Sequence, residues 1–117
     1  MPHPVIHFEV HGSDAKKSQE FYASVFGWDI DANNPLNYGM VAKGGDTGIT
    51  GGITGGKGAT MATFYVEVED LEATLQLAES KGAKRMMGPE AIEGGPTIAM
   101  FADPDGNVIG LTKADTM

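Results

Sequence analysis

The run Gly48-Ile49-Thr50-Gly51-Gly52-Ile53-Thr54 returns as Gly106-Asn107-Val108-Ile109-Gly110-Leu111-Thr112. In both, Gly-x-x-x-Gly is followed by an aliphatic residue and threonine. The displacement is 58 residues (110 − 52), and the same displacement carries Phe8-Glu9-Val10 onto Val66-Glu67-Val68. Two distant segments sharing one offset indicate an internal duplication, so the chain is read as two related halves.

Working outward from these anchors gives the elements of each half. Val5-Ile6-His7-Phe8-Glu9-Val10 alternates, with Ile6, Phe8 and Val10 on one face and Val5, His7 and Glu9 on the other, the period of a strand. Ser13 and Asp14 can cap a helix over Ala15 to Phe26, closed by Gly27. Strands are expected over Trp28–Ile30, Tyr38–Ala42 and Gly48–Thr54, with a turn at Asn33-Asn34-Pro35. The second half repeats the order: a strand from Met61 to Val68, then a helix capped by Asp70 with Leu71, Leu75 and Ala78 on one stripe, ending at Gly82. Strands follow near Lys84–Met87, Thr97–Ala102 and Asn107–Thr112, the last two joined by the turn Asp103-Pro104-Asp105-Gly106.

The expected architecture is therefore α+β: two tandem βαβββ modules, 1–55 and 61–117, joined by a linker at 56–60 within a single domain. Neither half buries enough surface alone, so the modules are expected to pair their mixed sheets around a central cleft with the helices outside. The mixed strand faces then line that cleft, where function is to be sought.

Composition narrows the function classes. With 117 residues, the chain is long enough for one ordinary core. A formal net charge of −8 and scattered basic residues argue against nucleic acid and anionic membranes, and favour a cationic or neutral ligand. No cysteine means no disulfide, thiolate metal site or thiol nucleophile. No run reaches the roughly 20 apolar residues of a membrane span, and Met1-Pro2-His3-Pro4 does not open like a signal peptide. A cytoplasmic location is the expectation.

The layout, Phe21-Tyr22 ahead of Phe26-Gly27-Trp28, and the run Asp103-Pro104-Asp105-Gly106-Asn107-Val108-Ile109 together resemble the vicinal oxygen chelate superfamily. That superfamily includes glyoxalase I, extradiol dioxygenases and bleomycin-resistance proteins. The resemblance covers nearly the whole chain and implies curved mixed sheets and, commonly, a homodimer. It also implies, in enzymatic members, a divalent metal held by His or Glu on each first strand and Glu on a last strand. Carried over by position, those places are His7, Gly52, Tyr65 and Gly110, of which only His7 is a good ligand. No metal or other cofactor is therefore expected.

The cleft candidates are His7, Glu9, Thr50, Gly52, Tyr65, Glu67 and Gly110. Glu67 is the counterpart of Glu9, and Tyr65 that of His7. His7 and Glu9 lie roughly 6.6 Å apart along one strand with side chains on the same side, a polar cluster able to bind a ligand or move a proton. Gly52 and Gly110, lacking side chains, are expected to leave space or to let the modules approach. His3 and His11 share the face of His7 and are expected at the surface. Phe21, Tyr22, Phe26 and Trp28 are expected to pack between helix and sheet. Gly51-x-x-x-x-Gly56-Lys57-Gly58 is one residue short of a phosphate-binding loop, lacks the magnesium-binding hydroxyl and precedes a strand, so it does not indicate phosphate.

Three functions fit this reading. The first is a small-molecule binder, for a cationic or aromatic compound, that uses no catalytic metal. The second is a metal-dependent lyase, isomerase or dioxygenase with substitute ligands, in which His7 joins Glu9 or Glu67. The third is an assembly module with a collapsed cleft.

Overall fold

A computed structural model describes residues 2–114. The element order is β1 (Val5–Gly12), α1 (Ala15–Phe26), β2 (Ile30–Asp31), β3 (Gly39–Val41), β4 (Thr50–Gly55), β5 (Met61–Val68), α2 (Leu71–Ser80), β6 (Lys84–Ala91), β7 (Thr97–Ala102) and β8 (Val108–Lys113). The α+β class and the repeated βαβββ order are as the sequence indicates. No helix among the described residues is long and apolar enough to cross a membrane.

The chain forms two compact units, one of residues 7–63 and the other of residues 2–6 with 64–114. Residues at the N-terminus thus group with the second half, where the Glu67 N–H donates to the Pro4 carbonyl at 2.9 Å.

In the first unit the strands run in the order β2-β3-β4-β1. β1 and β4 are parallel, with His7 opposite Thr50 and Glu9 opposite Gly52, while β3 is antiparallel to both β4 and β2. The helix α1 begins where Asp14 accepts the Lys17 N–H at 3.0 Å and ends at Gly27, whose left-handed φ of 69° suits glycine. It packs on β4. Its aromatic residues form a cluster in which the Trp28 ring stacks on Tyr22 (6.1 Å), lies against Phe26 (4.9 Å) and meets Phe8 from β1 (5.5 Å). Phe21 and Phe26 are nevertheless 57% and 58% exposed, and α1 buries no residue. The aromatic group is a half-covered face of the unit rather than a sealed core.

The second unit has the order β5-β8-β7-β6, with β5 parallel to β8 and the other pairs antiparallel. Its helix repeats the first: Asp70 accepts the Ala73 N–H at 3.0 Å. Unlike α1, α2 buries Leu71 and Leu75, which join Val68, Ala99 and Leu111 in a closed core flanked by Val66 and Phe101. Arg85 of β6 donates to Glu72 and Glu79 of α2, and this pairing holds the Glu72 carboxyl down at about 2. β6 runs on to Ala91, past the Lys84–Met87 span expected from the sequence and through Gly88-Pro89. As the edge strand of its unit it tolerates a residue without an N–H, and its register with β7 shifts around Met87. The turn at Asp103–Gly106 forms as expected, with the Asp103 carboxylate accepting the Asp105 and Asn107 N–H groups and the Asn107 side chain, which lowers its pKa.

The duplication is regular along the chain but not across the strands. In the first unit Glu9 faces Gly52, whereas its counterpart Glu67 faces Thr112 and Gly110 lies opposite Tyr65. The parallel register therefore differs by two residues. A two-residue slip keeps every side chain on its original face, so both arrangements satisfy the same hydrophobic pattern.

Candidate functional site

Alternation along β1 puts His7, Glu9 and His11 on one face, away from Phe8 and the aromatic cluster. His7 is 1% exposed and Glu9 7% exposed. A buried carboxylate and a buried imidazole need partners, and the unit provides them. Nδ1 of His7 lies 2.8 Å from Thr50 Oγ1, and Nε2 lies 2.9 Å from the Tyr38 hydroxyl. That hydroxyl donates to Glu9 Oε2 at 2.7 Å, and the other carboxylate oxygen, Oε1, meets Nε2 of His11.

The directions of these bonds follow from counting protons. An ionised carboxylate only accepts, so the single Tyr38 proton goes to Glu9. The Tyr38 oxygen must then accept from His7, which fixes the His7 proton on Nε2. Burial lowers the His7 pKa, opposed by the nearby Glu9 charge, so the ring is neutral and its Nδ1 lone pair accepts from Thr50. The tautomer is assigned from this network. The result is a one-way chain, Thr50 to His7 to Tyr38 to Glu9, with His11 donating to the same carboxylate from the other side.

Tyr38 is held in place by Asn34. The Asn34 side chain accepts the Tyr38 N–H at 3.0 Å and donates to the Tyr38 carbonyl at 2.8 Å. Just before it, Asn37 takes a left-handed φ of 52°, a conformation asparagine adopts more readily than most residues. The phenol ring then lies against Gly52: a Cβ at that position would stand 1.7 Å from the Tyr38 oxygen. On the opposite face of β4 the Phe8 ring lies on Gly51, where a Cβ would meet it at 2.0 Å. Adjacent glycines thus admit one ring on each side of the strand.

The second unit uses the same device. A Cβ at Gly110 would be 2.5 Å from the ring of Tyr65, which is 5% exposed. The space expected at Gly52 and Gly110 is thus taken by tyrosine rings, because each glycine faces an aromatic on the same face. His7, Glu9, Thr50 and Gly52 come together in the first unit, and Tyr65 and Gly110 pair in the second. Glu67 lines a separate depression of about 250 Å³ with Pro2, Pro4 and Glu69.

Beyond these, the network includes Tyr38 and His11. The even spacing of His7, Glu9 and His11 on one strand was the available signal for His11. Tyr38 carries no such signal, since its position depends on the turn that precedes it. His11 is also the outward end of the network: its side chain is 36% exposed and lines an open depression of about 350 Å³ with Val10, Gly12, Ser18, Tyr22 and residues 60–62.

The sequence profile of the Glyoxalase/Bleomycin resistance protein/Dioxygenase superfamily matches residues 5–111. The chain belongs to this superfamily. A glyoxylase-like domain-containing protein of Didymella fabae is 28% identical over 114 residues, covering 85% of this chain and 84% of the relative. Among solved structures, a superfamily member from Vibrio splendidus 12B01 aligns with a TM-score of 0.64 at 18% identity, covering 96% of this chain and 99% of that one. The methylmalonyl-CoA epimerase of Mycobacterium tuberculosis aligns with a TM-score of 0.65 at 15% identity, covering 93% and 86%. A structure described as the NAD-dependent benzaldehyde dehydrogenase of Legionella pneumophila aligns at 0.66 and 16%, covering 96% and 98%. At these identities the likeness is one of fold.

The superfamily's usual divalent metal does not fit the residues present. Of the four ligand positions, Gly52 and Gly110 offer no donor, and Tyr65 packs its ring on Gly110. At the fourth position His7 already spends one ring nitrogen donating to Tyr38 and the other accepting from Thr50. No group of three His, Cys, Asp or Glu side chains able to hold a metal occurs among the described residues.

Proposed function

We propose that this superfamily member binds a small molecule without a catalytic metal, at the face of the first unit where Glu9 and His11 meet. The observation that carries the reading is the commitment of His7. The one side chain that matches a family ligand position is buried, neutral and hydrogen-bonded at both nitrogens, so its role is to hold Tyr38 and, through it, Glu9. A fixed carboxylate–imidazole pair beside an open depression of about 350 Å³ is suited to orient a small compound. The chain's net charge of −8 further disfavours anionic ligands.

Equilibrium binding against a panel of small aromatic, cationic and anionic compounds tests this reading. Saturable binding by an aromatic or cationic compound is expected, with His11→Ala weakening it. Normal folding with no binding across the panel would overturn the proposal. Homodimerisation is the remaining part of the reading and rests on the family resemblance alone; a sizing measurement near 12.3 kDa would remove it.

A further inference from the structure

Tyr38 stands just outside the β3–β4 ladder, whose pairing begins with Gly39 opposite Ile53. The ladder therefore does not fix the residue whose hydroxyl joins His7 to Glu9. The chain there is held by Asn34 and also by a residue of α1. The Nε2 amide of Gln19 donates to the Asn37 carbonyl at 3.1 Å and to the Ile53 carbonyl at 2.9 Å. Both partners only accept, so the side-chain oxygen cannot take this place, and both amide protons are used. One nitrogen thus ties two points of the chain together. Asn37, left-handed at φ 52°, directly precedes Tyr38, and Ile53 directly follows the glycine under the Tyr38 ring. Gly39 makes room for the bridge: a Cβ there would lie 2.9 Å from Gln19 Cγ and 2.8 Å from the Ile53 oxygen.

The duplication shows that helix packing alone does not call for a polar residue at this position. Asp14 and Asp70 cap the two helices, and five residues on (19 − 14 and 75 − 70) stand Gln19 and Leu75. Leu75 is fully buried in the core of the second unit. Its counterpart in the first unit instead spends both donors on the backbone beside Tyr38. We infer that Gln19 is a positioning residue for the His7–Tyr38–Glu9 network, setting where the Tyr38 hydroxyl stands between its two partners. Its bearing on a ligand rests on the proposed binding function. Through Gln19, the placement of α1 on β4 is coupled to the orientation of the Glu9 carboxylate.

The test reads the His7 ring by proton–nitrogen NMR at pH 8 in the full chain, with its signals assigned by their loss in His7→Gln. The wild type should show the Nε2–H tautomer. Gln19→Met keeps the length of the side chain and removes its donors, and Gln19→Leu copies the second unit. Each should shift the His7 signals toward a mixture of tautomers, in the same direction as Tyr38→Phe. Combined with Tyr38→Phe, neither should add a further shift, because no hydroxyl is left to position. Gln19→Lys, which returns a donor on a long stem, should recover part of the wild-type signal. Circular dichroism checks that each variant folds. Unchanged His7 signals in folded Gln19→Met or Gln19→Leu would overturn the inference, as would a shift that persists in full beside Tyr38→Phe. The compound panel reads binding separately. The expected His7 shifts with no compound bound would support the positioning role and remove the binding function; unchanged His7 signals with a compound bound would do the reverse.

Discussion

Tyr38→Phe is the sharpest test of the internal network, because it removes one oxygen and leaves the ring that covers Gly52. That oxygen accepts from a His7 that is 1% exposed and donates to a Glu9 that is 7% exposed. The bond to His7 is neutral and worth about 1 kcal/mol, and the bond to the carboxylate is charge-assisted and worth about 2 kcal/mol. With both partners too buried for water to substitute freely, the variant should lose about 3 kcal/mol. Urea denaturation followed by fluorescence and circular dichroism measures this, with the slope unchanged if the native fold is kept. Tyr38→Leu, which also strips the ring from Gly52, should cost more. A loss below about 0.5 kcal/mol for Tyr38→Phe would refute the reasoning, since two buried bonds of this kind cannot vanish without cost.

Other consequences follow from the same principles. The His7 pKa is lowered from 6.5 in the folded state, so below about pH 6.5 the unfolded chain takes up a proton that the folded site resists. Stability should therefore fall as pH drops from 6.5 toward the lowered folded value, and His7→Gln should flatten that part of a pH series of denaturation curves. Thr112 is fully buried and its hydroxyl has no hydrogen-bond partner among the described residues, so Thr112→Val should stabilise by about 1 kcal/mol in the same assay. Gly110→Ala would place a methyl 2.5 Å from a buried ring and should cost about 1–3 kcal/mol, visible as a lower melting temperature.

Much of the fold was legible because the signals were local and repeated. Asp14 and Asp70 cap their helices as read, and Gly27 closes the first, since a side-chain oxygen and a missing Cβ act within one turn of chain. The alternation of β1 and β5 also gave the faces, and so placed His7 with Glu9. What escaped was set by contacts between distant residues. The two-residue difference in parallel register leaves each strand's pattern unchanged, so no pattern within a strand could disclose it. Gly52 and Gly110, expected to leave space or to let the modules approach, are covered by Tyr38 and Tyr65, because an empty position invites the nearest ring and only packing shows which one. His11 stands partly exposed at the strand end, as expected, but its pairing with Glu9 depends on the burial of that carboxylate, which the strand pattern does not show. The α1 aromatics illustrate the converse: their helical spacing promised a covered face, but no residue of α1 is fully buried.

Binding without a catalytic metal is best tested by titrating one ligand twice into the same untagged preparation. One titration follows exhaustive chelation, and the other follows addition of nickel, zinc or iron(II). The same affinity in both, with no stoichiometric uptake of metal, is the expected result. Binding that disappears on chelation and returns with one equivalent of metal would contradict it.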